Sequence, residues 1–280
     1  MAEELECHEI FYGHGTDNAN DEAVVLVFHA CRLSFDSPEA LLHEPVAQAD
    51  KNKLLAMLER RIVDRCPAPY ITGEAWFAGH RFYVDERVLI PRSPLAEWID
   101  EQFSPWVNVE TVKRILDVGT GSGCIAIALA HAFPNAEVLA VDLSCDALEI
   151  AKCNVSHHDL GARLELLHAD LYEGVTGSFE LIVSNPPYVD AGDLNAMPCE
   201  YHHEPRGALA GGTDGLSLVH RILEGARNAL SEDGVLVVEV GATQEAFQQA
   251  YPTLPVIWLE LAQGGEGVFL IEAKHLTHLS

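Results

Sequence analysis

From Lys113 onward, short apolar runs of strand length alternate with longer segments of helical periodicity. That alternation leaves room for little but a mostly parallel sheet with helices on both faces. Strands are predicted at about 114–118, 137–142, 164–168, 179–184, 234–240, 255–261 and 267–272, and helices at about 123–132, 145–158, 215–230 and 243–250. No helix separates the last two strands, so the sheet is expected to finish with an antiparallel strand. Apolar residues make up 48% of the 280, enough for a full core in one large domain or two unequal ones. The longest apolar runs, 23–28 and 124–130, fall well short of the roughly 20 residues of a membrane span. Glu3, Glu4, Glu6 and Glu9 carry the wrong charge for a leader peptide, so a soluble protein is expected.

Ahead of the α/β pattern, 21–31 and 50–66 read as helices. In the second, Leu54, Leu55, Leu58, Ile62 and Val63 are expected on one apolar face, with Pro67 and Pro69 ending the helix. Residues 1–72 are therefore expected to form a small helical substrate-recognition domain. Segment 11–18 reads like the middle of a loop, so earlier helices of that domain are expected to be missing. Two aromatic runs around Gly79 predict a hairpin within a linker over 73–94, leading through a helix at 95–103 into the catalytic domain, 95–280.

The seven cysteines include no pair at metal or redox spacing and predict free thiols in a reducing, cytoplasmic setting. His202 and His203 near Cys199, and His157-His158, lack a second ligand pair at standard spacing, so no metal is expected. Forty-three acidic against 17 basic residues leave a net charge of −26. Such a surface repels nucleic acid, whose binding depends on lysine and arginine displacing counterions, and attracts basic proteins; solubility or adaptation to salt is the other reading.

Four strand ends carry chemistry. Asp117-Val118-Gly119-Thr120-Gly121-Ser122-Gly123 makes a glycine-rich turn between a strand and a helix, where a ligand can lie against backbone N–H groups. The dinucleotide pattern fits poorly, because the sixth position of its glycine spacing is Cys124. Asp142 ends the next strand, where a carboxylate suits ribose hydroxyls; capping of the following helix is the other reading. Asp170 ends the third and could accept from an adenine amino group; an acid of a surface loop is the other reading. The fourth ends in Asn185-Pro186-Pro187-Tyr188. Its two prolines fix a rigid turn that points the Asn185 side-chain oxygen and the Pro186 carbonyl into one space, with Tyr188 over it. Two acceptors aimed together suit a planar NH2 group.

In this order and spacing, these motifs resemble the S-adenosylmethionine-dependent methyltransferases that act on planar nitrogen, and more closely the HemK-type protein-(glutamine-N5) methyltransferases. The amino-terminal parts resemble that family in Pro69-Tyr70-Ile71-Thr72-Gly73, Trp76-Phe77-Ala78-Gly79, Phe82-Tyr83-Val84 and Val88-Leu89-Ile90-Pro91-Arg92. After Arg92 the release-factor branch usually continues Pro-Glu-Thr-Glu, whereas Ser93-Pro94-Leu95-Ala96-Glu97 resembles the PrmB branch, which modifies ribosomal protein three of the large subunit. Segments 12–18, 200–205 and 264–269 resemble the same branch.

The resemblance implies a Rossmann-like class I methyltransferase fold with a seven-stranded, mostly parallel sheet. It implies S-adenosyl-L-methionine as cofactor, S-adenosyl-L-homocysteine as product, and cofactor contacts from Pro91, Asp117, Gly119, Thr120, Gly121, Ser122, Gly123, Asp142, Leu143, Asp170, Leu171 and Asn185. Catalysis falls to Asn185, Pro186, Pro187 and Tyr188, and the expected partner is that ribosomal protein, with no DNA and no membrane. An adenine-amino DNA methyltransferase, which shares the tetrapeptide, would need a basic groove; beyond residue 75 no basic cluster exceeds Lys113-Arg114. Methylation of release factors and a non-catalytic role in ribosome assembly are the alternatives.

Overall fold

The computed structural model describes residues 1–34, 36–262 and 264–276. Five helices come first: α1 (Ala2–Cys7), α2 (Ala19–Cys31), α3 (Glu39–Leu42), α4 (Gln48–Ile62) and α5 (Ala68–Thr72). Strands β1 (Glu74–Phe77) and β2 (His80–Tyr83) and helix α6 (Leu95–Asp100) follow. The α/β part then runs β3 (Arg114–Val118), α7 (Cys124–Ala132), β4 (Glu137–Asp142), α8 (Cys145–His157), β5 (Leu164–His168), β6 (Phe179–Ser184), α9 (Ala191–Ala196), α10 (Ser217–Ala229), β7 (Leu230–Glu239), α11 (Gln244–Ala250), β8 (Ile257–Trp258), β9 (Val268–Glu272) and α12 (Ala273–Leu276). No helix among the described residues is long and apolar enough to cross a membrane.

Strands β3 to β9 form one sheet in the order β5-β4-β3-β6-β7-β9-β8, parallel from β5 to β7 and antiparallel at β9 and β8. Neighbouring residues along each strand enter opposite layers, as a period of two requires. Ile115, Leu181, Val183, Val235 and Val237 pack with α6, α7 and the hairpin, while Leu116, Ile182, Leu236 and Val238 pack with α10 and α11. Helix α10 shows why it lies there: Val219, Ile222, Leu223, Ala226 and Ala229 recur at helical spacing and are all buried. With both faces covered, the central strands carry continuous apolar runs at 115–116, 181–183 and 235–238. The chain switches direction of winding between β3 and β6, and ligands bind open α/β sheets at the carboxyl edge of such a switch.

The hairpin turns on Ala78 and Gly79, both at positive φ as a two-residue hairpin turn demands. Phe77 and Phe82 carry it onto the core of the α/β part. The helical segment has a small core of its own, where Leu5, Ile10, Ala19 and Ala23 meet Leu58 and Ile62.

Three sequence expectations change here. Helix α4 ends at Ile62, short of the prolines, and Pro67 instead caps the amino end of α5. Leu55 is 65% and Val63 71% exposed, so the buried stripe of α4 is narrower than expected and centres on Leu54, Leu58 and Ile62. The strand expected at 255–261 is only Ile257–Trp258, because an edge strand paired on one side needs only a short ladder.

Candidate active site

The register of the sheet lines up the chemistry along one edge. Val118 pairs with Val141 on one side and Ser184 on the other, so the glycine turn after β3 lies between Asp142 at the tip of β4 and Asn185 just beyond β6. Asp170 follows β5 beyond Asp142, and Glu239 ends β7 beyond Asn185. Backbone pairing alone thus brings five distant segments together.

In the turn, Gly119 and Gly121 have φ of 79° and 56°, and a Cβ built on either meets nothing within 4 Å. Both present bare backbone to open space. Gly123 serves another purpose: its Cβ would come within 3.3 Å of Ala151 Cβ, so it lets α7 approach α8 rather than a ligand. Asp117 is fully buried, and its Oδ2 accepts the Ala126 N–H at 3.1 Å, capping α7. Its Oδ1 and the Thr120 hydroxyl are buried without a hydrogen bond of ordinary geometry. Burial raises the Asp117 carboxyl to about 7. Ser122 is buried, and its carbonyl accepts from Asn154 Nδ2 at 2.8 Å. The side-chain-free backbone at Gly119 and Gly121 is a cradle that fits a polar cofactor lying against it.

The Asp142 carboxylate accepts the Gly121 N–H and the Ser144 N–H, each at 2.8 Å, with lone pairs left over. Ser144, not Asp142, caps α8, taking the Ala147 N–H at 3.2 Å. Burial raises the Asp142 carboxyl despite these bonds. Leu143 beside it is 67% exposed, a large apolar side chain available to a flat ligand. Asp170 is paired to Arg221 of α10 at 2.9 Å, so an adenine amino group has to share that carboxylate. Leu171 next to it adopts φ of 54°.

Asn185 is half-buried, and its side chain makes no hydrogen bond among the described residues. Pro186 is buried, and its carbonyl accepts none either. Both line a cleft of about 150 Å³ with Leu89, Arg92, Tyr188 and Tyr201. A cavity of about that volume holds a benzene ring, so the cleft takes one side chain. The Tyr188 hydroxyl donates to Glu239 Oε1 at 3.0 Å, and Ser93 Oγ donates to Glu239 Oε2 at 2.5 Å. Glu239 is 2% exposed, and burial pushes it up to about 7. Gly241, at φ of 48°, leaves room for the Tyr188 ring; a Cβ there would lie 2.6 Å from it.

Sequence reasoning missed Glu239, although an acid ending the apolar run of β7 is the same signal that marked Asp142. It also missed Glu204, which binds both terminal nitrogens of Arg92 at 2.5 Å and accepts the Ile90 N–H at 3.0 Å. Burial opposes the Glu204 charge, but His14 and the Arg92 guanidinium outweigh it and hold the carboxyl below its usual range. Pro91 is buried between these two anchored residues. His203 is no metal ligand in this arrangement, since one ring nitrogen meets the Asp64 carbonyl at 2.8 Å and the other Glu86 at 3.2 Å.

A family model for the methyltransferase small domain matches residues 102–199. The ribosomal protein uL3 glutamine methyltransferase of Neisseria gonorrhoeae is 47% identical over 268 residues, covering 95% of this chain and 90% of that protein. The enzyme of the same name from Bordetella pertussis is 47% identical over 275 residues, covering 98% and 92%. Among solved structures, the catalytic domain of hMettl16 in complex with a MAT2A 3′UTR hairpin aligns with a TM-score of 0.53 at 16% identity, covering 79% of this chain and 80% of that one. That likeness shows the class I methyltransferase fold and nothing finer. Identity of 47% carried across 95% or more of the chain is far beyond what a shared fold alone produces, and by it the chain belongs to the ribosomal protein uL3 glutamine methyltransferases.

Proposed function

We propose that this protein, working in the cytoplasm, transfers a methyl group from S-adenosyl-L-methionine to the side-chain amide nitrogen (N5) of a glutamine in large-subunit ribosomal protein uL3. The observation that carries this reading is the unpaired Asn185 amide beside the unpaired Pro186 carbonyl, at a cleft sized for one side chain. When bound, the cofactor supplies an electrophilic methyl carbon on a positively charged sulfur. Gly119 and Gly121 give its methionine part a surface of bare backbone, with Asp117 and Thr120 buried beneath that turn. Asp142 keeps lone pairs for ribose hydroxyls, and Leu143, Asp170 and Leu171 border the adenine.

An amide nitrogen is a poor nucleophile because its lone pair is delocalised into the carbonyl. Asn185 Oδ1 and the Pro186 carbonyl accept its two N–H bonds, which orients the nitrogen and draws electron density onto it. As the nitrogen takes the methyl from the sulfur it would gain positive charge, which these two fixed dipoles bind more strongly than they bind the neutral substrate, and the surplus N–H proton would then leave to water. Pro187 keeps the turn rigid. Tyr188, held by Glu239, covers the flat face of the amide. Most of the rate enhancement is positioning. The helical segment 1–72 serves as the substrate-recognition domain, with 73–94 as linker and 95–280 as catalytic domain.

The test is incubation with labelled cofactor and, in parallel, purified uL3 and peptide chain release factors, followed by mass spectrometry of the labelled peptide. A methylated glutamine in uL3 is the expected result. Label only on release factors assigns the chain to the other branch, and no label on either defeats the reading.

A further inference from the structure

The geometry points to a metal site at the opposite end of the catalytic domain: we propose that His80, His131 and His158 bind one divalent ion of the zinc class and thereby fasten the β1–β2 hairpin to the core. One ring nitrogen from each histidine lies within 4.8 Å of the other two. The closest pair, His131 Nε2 and His158 Nδ1, is 3.4 Å apart. Tetrahedral zinc with Zn–N bonds of about 2.0–2.1 Å needs its nitrogens roughly 3.3–3.4 Å apart, so this pair already stands at ligand spacing.

The tautomer of His158 is right for ligation. Its Nε2 lies 2.9 Å from the Arg81 carbonyl, which can only accept, so Nε2 carries the proton and Nδ1 turns a lone pair toward His131. A metal-bound histidine oriented by a backbone carbonyl on its other nitrogen is the usual arrangement at protein metal sites. His80 stacks on His131 at a centroid distance of 4.4 Å and stands edge-on to His158 at 5.7 Å. It is half-buried at the start of β2, and rotation of its ring toward the pair closes the third bond. Three imidazoles suit zinc, copper or nickel over calcium or magnesium. His131 is exposed, so water completes the fourth position.

A second cluster among the described residues, Cys66, Glu86 and His203, has the same compactness, but its histidine already has both ring nitrogens within hydrogen-bond reach of oxygen atoms. One His203 nitrogen is engaged by the Asp64 carbonyl, outside the cluster. It serves as an internal control.

The position says what the ion does. His131 lies in the last turn of α7 and His158 caps the end of α8. Helices of a parallel sheet run against their strands, so these ends sit at the amino edge, away from Asn185. The ion therefore has no access to the reacting atoms. It joins β2 to two core helices, and β2 leads into the linker that supplies Leu89 and Arg92 to the cleft.

The experiment uses the full chain, stripped with chelator and titrated with zinc by calorimetry, with cobalt absorption as a second probe. One equivalent is expected to bind. Loss of an outer-shell partner alone weakens metal sites by roughly 10- to 100-fold, so His131→Ala and His158→Ala should weaken binding at least that much, while Cys66→Ser leaves it unchanged. Zinc should also slow amide hydrogen exchange over residues 74–94 in the wild type and not in His131→Ala, whose exposed ring can be removed without emptying the core. Absence of a bound equivalent in the wild type, or its retention in His131→Ala, overturns the site. Binding with unchanged exchange in the hairpin overturns the fastening role.

Discussion

Asn185 and Asp142 flank the glycine turn on opposite sides, so substituting each separates catalysis from cofactor binding. Asn185→Ala removes one oriented acceptor that no other residue replaces. Losses of this kind cost about 3 kcal/mol of barrier, so turnover should fall roughly a hundredfold while calorimetry shows cofactor affinity nearly intact. Asp142→Ala should act in reverse. A charged acceptor is worth about 1.5–3 kcal/mol, so the dissociation constant for S-adenosylhomocysteine should rise roughly tenfold or more. Unchanged affinity would leave Asp142 as an anchor for Gly121 and Ser144 only. Glu239 yields a pH signature. Its carboxyl is raised from 4.5 to about 7 in the fold, so its contribution to stability is full below pH 4.5 and is lost as pH rises through 7. The shift corresponds to about 3 kcal/mol. Glu239→Gln cannot ionise, so its stability relative to wild type should climb by about that amount between pH 5 and pH 8, measured by urea unfolding. Asp117 shifts in the same direction in both proteins and cancels from the comparison. Parallel pH profiles would mean that Glu239 ionises freely.

At the scale of elements, the segments that mark the branch by sequence turn out to be neighbours. His14, from 12–18, lies 3.7 Å from Glu204 and packs at a tilt against Tyr201, both from 200–205. The third segment, 264–269, reaches the same edge, where the Gly267 carbonyl accepts the Val240 N–H at 2.7 Å and Gly265 lies against Pro94. Arg61 joins the helical segment to the α/β part: it is 1% exposed and binds Glu22 of α2 at 2.7 Å, the Phe11 carbonyl at 2.7 Å and Glu200 at 3.3 Å. Removing one member of a buried ion pair strands its partners' charge and costs about 3–5 kcal/mol. Arg61→Met should therefore lower unfolding stability by that order and loosen the wall of the cleft, raising KM for the protein substrate more than for the cofactor. A loss under about 1 kcal/mol would show that water reaches Glu22 and Glu200. Sequence alone offered no sign of this triad, since its members lie on three separate segments and none is apolar.

Across the whole molecule, the net charge of −26 should speed encounter with a basic ribosomal protein. Electrostatic steering raises association rates by about 10- to 1000-fold at low salt, and the screening length falls from about 30 Å at 0.01 M to about 10 Å at 0.1 M. The second-order rate constant on intact uL3 should fall steeply with added salt, whereas that on a short uncharged glutamine peptide should barely change. Both share the chemical step, so the difference isolates steering. Parallel salt profiles would assign the acidic surface to solubility.

What the sequence determined by itself was whatever depends on local periodicity and on chain direction. Alternating apolar runs specified the parallel strands and their covering helices, and strand ends in a parallel sheet all meet one edge, so Asp142, Asp170 and Asn185 could be placed there before any coordinates. The tertiary structure decided what depends on distance between segments remote in the chain. It paired Asp170 with Arg221, turned Leu55 and Val63 outward, set Glu239 under Tyr188 and gathered His80, His131 and His158. Hydrogen bonds and ion pairs act over a few ångströms of space and leave no period along the chain, so only packing of the helices and the hairpin onto the sheet could reveal them.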